Sequence, residues 1–128
     1  MVQPTRPKSR TVKAMIPQFS LFTVLIHYGF HFLAPFAITR LLFGHQRWLA
    51  AAGLMLLANA IDADHLLATP IFDPDRCSIG FHPLHSGLAA AAYAAALLVP
   101  NWKIRALALG ALWHLATDGL DCVMQGTW

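Results

Sequence analysis

The chain has 128 residues, no glutamate, six aspartates and a formal charge of +3. Hydrophobic residues make up 57% of it and charged ones 12%, about half the roughly 25% charge of a soluble globular domain. A chain this short has room for one domain and excludes a catalytic domain carried on a separate membrane anchor. Any site must therefore be built from the apolar segments themselves.

Residues 1–13 read as a basic tail carrying Arg6, Lys8, Arg10 and Lys13. The tail suits an anionic membrane surface, and no nucleic-acid partner is expected because no other stretch offers a basic face. A basic stretch before an apolar one is also the layout of a cleaved secretory signal. The apolar stretch here is longer than the roughly 7–15 residues of such a signal and contains His27 and His31, which argues against that reading.

Residues 14–128 read as a single integral membrane domain of four helices, over about 17–43, 48–68, 83–100 and 102–123, each near the roughly 20 residues a membrane crossing needs. In the first, Pro17 suits an opening turn, and Pro35 is expected to kink the helix and free the carbonyl of His31. The second, WLAAAGLMLLANAIDADHLLA, turns polar only at its end. The loop TPIFDPDRCSIGF follows, irregular by its proline, glycine and aspartate content. The third, HPLHSGLAAAAYAAALLVP, places Pro83 where proline favours the first helical position, with His82 as its cap. Its alanines and Gly87 allow close helix approach. The fourth, KIRALALGALWHLATDGLDCV, is polar in its second half.

Short loops make successive segments alternate in direction. All four polar clusters then fall toward one face, so the expected fold is an all-α four-helix transmembrane bundle with polar groups converging there. Membrane lipids are the expected surroundings, and the oligomeric state is open. The basic tail puts that face on the cytoplasmic side. Cys77 and Cys122, too few for a disulfide framework, then stay reduced thiols, with one bridge as the alternative.

The clusters carry ligand chemistry. His27 and His31 lie one helical turn apart on one face, a common arrangement for one metal ion. Asp62, Asp64 and His65 put two carboxylates and an imidazole near hydrocarbon, which is costly unless they are paired, metal-bound or facing water. Asp62 and His65 share a helical face, whereas Asp64 points away unless the helix ends there. Asn59, three residues before Asp62, is a candidate partner for a ligand. His82 and His85, then His114 and Asp118, complete the set, and Asp121 reads as a counter-charge. His45, beside Arg47 in the opposite loop, reads as solvent-facing. Nine candidates exceed the four ligands of one zinc ion, so one or two divalent ions are expected. Imidazole and carboxylate without thiolate suits zinc, with iron or manganese as alternatives.

The run DADHLLATPIFDPDRCSIGFHPLHS at 62–86, with HYGFHFLAP at 27–35 and HLATDGLDC at 114–122, resembles a family of small bacterial integral membrane proteins of unknown function. More distantly, an early HxxxH, a DxDH, a histidine pair and a late HxxxD are similar to the LexA-binding, inner-membrane-associated metal-dependent hydrolases. The resemblance implies a bacterial inner-membrane protein with metal-dependent hydrolytic activity and names no substrate.

The reading that follows is a membrane-embedded hydrolase acting on a lipid ester or phosphoester. His27, His31, Asp62, His65, His82, His114 and Asp118 bind metal, Asp64 or His85 serves as the acid–base group, and Arg76 contacts an anionic substrate. One rival is an oxidative di-iron or haem enzyme. Others are a metal transporter, which would need polar groups through the full membrane depth, and a structural membrane protein whose cluster only holds helices together.

Overall fold

The computed structural model describes residues 21–128, and among them the chain is helical with no strand. The basic tail and Pro17 lie outside the described residues. The first expected segment forms two helices, α1 (Leu21–Phe32) and α2 (Ala34–Leu42). The break falls at Leu33, two residues before Pro35, which takes the opening turn of α2. The amide of Leu33 closes α1 on the Gly29 carbonyl at 2.8 Å. Beside the break, the Trp113 indole donates to the Phe30 carbonyl at 2.8 Å.

The second segment starts at Gly44, whose φ of +68° only glycine adopts at little cost. It runs as α3 (Gly44–Leu57) and then winds more tightly into a 3₁₀ helix, Ala58–Leu67. Ten residues is long for a conformation seldom sustained beyond three or four.

The third segment departs from expectation. Pro83 opens only a 3₁₀ turn, Pro83–His85. α4 starts at Gly87, with Ser86 accepting the Ala89 amide at 3.2 Å, and ends at Ala96. Its 10 residues span about 15 Å at the usual rise, half the roughly 30 Å of a hydrocarbon core. The 24-residue α5 (Trp102–Gln125) is capped by Asn101 and closed by left-handed Gly126. Among the described residues, two helical stretches are long and apolar enough to cross a membrane: 21–42 and 44–67.

α5 packs against α1, α3, α4 and the 3₁₀ helix. Its closest approach is at Gly110, where an added Cβ would stand 2.7 Å from the Met55 backbone. Small residues make this possible: Ala51, Ala52, Ala58, Ala106, Ala108 and Ala111 are buried. Large apolar side chains point outward instead, with Leu33 71% and Leu41 84% exposed, while His31, Asp64, His85, His114 and Asp118 are buried.

Cys77 and Cys122 form a disulfide with a Cα separation of 5.3 Å, correcting the expectation of reduced thiols. The irregular loop after the 3₁₀ helix returns over the C-terminal end of α5, so the two cysteines meet. The bridge fastens that loop to the helix carrying His114 and Asp118.

Candidate metal centre

The tight winding of the second segment's end positions its polar residues. At three residues per turn, Asn59, Asp62 and His65 fall on one edge, where an α-helix would swing them apart by about 60° per step. That edge faces α5. Asp64 lies on another edge and turns inward: its Oδ2 accepts the Leu84 amide at 2.8 Å and the His85 Nδ1–H at 3.2 Å.

Four ligand atoms from three parts of the chain meet in one nest. Nε2 of His85 lies 3.2 Å from Nε2 of His114. Oδ1 of Asp62 is 3.1 Å from His114 Nε2 and 3.3 Å from His85 Nε2. Oδ2 of Asp118 is 3.3 Å from both imidazole nitrogens. The outer nitrogens are occupied: His85 Nδ1 donates to Asp64, and His114 Nδ1 donates to Asn59 Oδ1 at 2.9 Å. With those protons placed, both Nε2 atoms are bare acceptors facing each other and two carboxylate oxygens. Protons or a cation relieve that conflict, and these groups, three of them buried, could hold a metal ion.

The other sequence candidates distribute around this nest. Nε2 of His31 is 3.1 Å from the second oxygen of Asp118, Oδ1. His27 lies one turn before, its ring centroid 4.5 Å from that of His31 and its Nδ1 3.8 Å from Asp121 Oδ2. His27, His31 and Asp118 form a further group able to hold a metal, as do Asp64, His65 and His85. Both ring nitrogens of His65 are buried without hydrogen-bond partners, and Nε2 is 3.5 Å from Asp62 Oδ1. His82, expected as a ligand, joins none of these groups; it stacks on His65 at 3.9 Å. The turn at Pro83 directs His85 inward and leaves His82 on the wall. His45 is exposed, as expected.

A cavity of about 400 Å³ with mixed walls opens over the cluster, lined by His27, Asp62, Arg76 and Asp121 on one hand and by Ile71 and Phe72 on the other. Arg76 lines it, but the guanidinium donates to the Pro70 carbonyl at 2.8 Å and lies 4.4 Å over the Phe81 ring, so it shapes the loop. An apolar groove of about 450 Å³ runs between α4 and α5, past Ala90, Leu115, Leu120 and Val123, to His85.

In the connecting loop the two histidines titrate oppositely. Burial lowers His82, and neighbouring His65 adds to the effect. Burial also works against charge on His85, but its hydrogen bonds to Asp118, Asp62 and Asp64 outweigh that and push it up to about 10.

The sequence reading missed the pairing of Asp64 with His85 and the role of Gly110. A glycine one helical turn before His114 was the available signal for close approach.

The model of a family of unknown function (DUF6122) matches residues 21–125. The chain belongs to that family. The match contains all three motif blocks and every residue of the nest. No curated protein and no solved structure matches the chain.

Proposed function

We propose that this DUF6122 member is a membrane-embedded, metal-dependent hydrolase whose ion is held by Asp62, His85, His114 and Asp118. The carrying observation is the nest of four acceptor atoms, with contacts of 3.1–3.3 Å. A tetrahedral ion with bonds of about 2.0–2.1 Å separates its ligands by about 3.3 Å, the spacing zinc requires. Asn59 and Asp64 hold the two imidazoles in the tautomer that leaves Nε2 free. Asp62 is the open side, its side chain 51% exposed to the cavity.

A water would reach such an ion only as a fifth ligand on the exposed Asp62 side, where the ion would lower its pKa toward neutrality. His65, without a hydrogen-bond partner and with Nε2 3.5 Å from Asp62 Oδ1, would take or return the proton at Nε2. This exchanges two expected roles: His85 becomes a ligand and His65 the acid–base group. The apolar groove reaching His85 supports a lipid ester or phosphoester as substrate, its chain along α4 and α5 and its head in the cavity beside Asp62 and Arg76.

Outward-facing leucines around a polar interior support membrane insertion, because soluble monomers rarely expose apolar patches beyond a few hundred Å². The Cys77–Cys122 bridge favours an oxidising compartment for the site-bearing end. That reverses the sidedness inferred from the basic tail.

The test is elemental analysis of protein purified in mild detergent, followed by assay on lipid esters and phosphoesters. Zinc should be present, Asp62→Ala and His114→Ala should lose most of it together with hydrolysis, and His45→Ala should lose neither. Protein without metal, or full metal retention by both nest variants, refutes the reading. A visible iron band would favour the oxidative alternative.

A further inference from the structure

Asp118 is buried, and its two oxygens face different groups. Oδ2 completes the nest with His85 and His114, while Oδ1 lies 3.1 Å from His31 Nε2. The HxxxH pair brings His27 to the same side, and ligand atoms of His27, His31 and Asp118 lie within 4.8 Å of one another. The Nδ1 atoms of His27 and His31 are buried without hydrogen-bond partners. His31 has a hydrogen bond to Asp118, whereas His27 has only a 3.8 Å approach to Asp121, beyond hydrogen-bond reach.

Charge points the same way. Asp62, Asp64, Asp118 and Asp121 bring four carboxylates to one end of the bundle. One dication balances two of them. Arg76, the only lysine or arginine among the described cavity-lining residues, is bound to loop carbonyls and paired with Asp73 at 4.0 Å, so it neutralises none of these four. A second dication would balance the remaining two, which matters because Asp64 and Asp118 are buried.

We propose that the centre is binuclear, with a second divalent ion held by His27, His31 and Oδ1 of Asp118, whose carboxylate bridges the two ions. The proposal rests on the metal reading above and adds to it. Three protein ligands leave a position open toward Asp121 and the cavity, the pattern of a catalytic rather than a structural site. Paired ions about 3.5–4 Å apart would clamp the attacking and leaving oxygens of an in-line displacement, an arrangement that suits a phosphoester.

Cobalt(II) titration of metal-stripped full-length protein in detergent tests this, with binding followed by visible absorption and spin state by paramagnetic resonance. Wild type should take up two equivalents, and the resonance per cobalt should weaken as the second enters and couples through Asp118. His27→Ala and the milder His27→Gln should each stop at one equivalent with an uncoupled signal. Uptake of one equivalent by wild type, or of two by both His27 variants, overturns the second ion and leaves the first intact. No uptake by wild type overturns both. The wild-type stoichiometry and coupling do not depend on any variant folding.

Discussion

Replacing Gly110 with alanine probes how the centre depends on the approach of α5 to the second segment. The new methyl group would stand 2.7 Å from Met55 Cα and carbonyl oxygen and 2.8 Å from Ala58 Cβ, where ordinary contact begins near 3.4 Å. Backbone atoms cannot rotate away as a flexible side chain can, so α5 must withdraw by roughly 0.7 Å, an overpacking that costs about 1–3 kcal/mol. His114 rides one turn further along the same helix. Its Nε2 contacts to Asp62 and His85, now 3.1 and 3.2 Å, would widen toward the limit of a shared ion's reach. Affinity for zinc should fall by about ten- to a hundredfold, the size of loss seen when ligand positioning is disturbed. Competition against a chromogenic chelator, with thermal melts of the stripped protein, gives both numbers. Gly53→Ala is the control: its Cβ meets nothing within 4 Å, and helix propensity should make it neutral or stabilising by up to about 1 kcal/mol. Wild-type affinity and melting in Gly110→Ala would refute the argument that this contact sets the geometry.

Asn59→Ala should weaken metal binding by about ten- to a hundredfold without abolishing it, because His114 loses its Nδ1 partner and keeps its ligand atom; complete loss in a chelator competition would contradict this. The His85 pKa is raised on folding from 6.5 to about 10, so its protonated form stabilises the metal-stripped fold fully below pH 6.5, and that contribution is lost as pH rises through about 10. The ion competes for the same Nε2, so zinc affinity should climb between those pH values, and a flat calorimetric profile would count against His85 as a ligand. In intact cells, an impermeant thiol reagent should label Cys77 and Cys122 only after an impermeant reductant; labelling without reduction would deny the bridge, and labelling only after permeabilisation would return the site to the cytoplasmic side.

Much of this architecture was legible in the residue order. Apolar segments separated by short loops must alternate in direction. Their polar residues sit in the first half of the first segment, the end of the second, the start of the third and the second half of the fourth. Those positions bring the clusters together whatever the side-chain detail, and His31, Asp118, Asp62 and His114 do meet. Three-residue spacing also linked Asn59, Asp62 and His65, because both α and 3₁₀ helices keep such neighbours close.

Other features depended on contacts that spacing does not encode. Asp64 looked misdirected on an α-helix; the tighter winding and the Leu84 amide turn it inward. His82 and His85 were equivalent as letters and both are buried, but the turn at Pro83 brings only His85 to the nest. Proline at the start of the third segment suggested a long helix, yet the chain first makes its turn and α4 stays short. The tail charge argued for reduced cysteines, but pairing depends on where the loop returns, and it returns to the end of α5. Sequence by itself determined which residues could reach the centre, because helix direction and period are local properties. Only the tertiary structure decided which atoms face one another, because that follows from the closeness of α5 at Gly110 and the winding after Leu57.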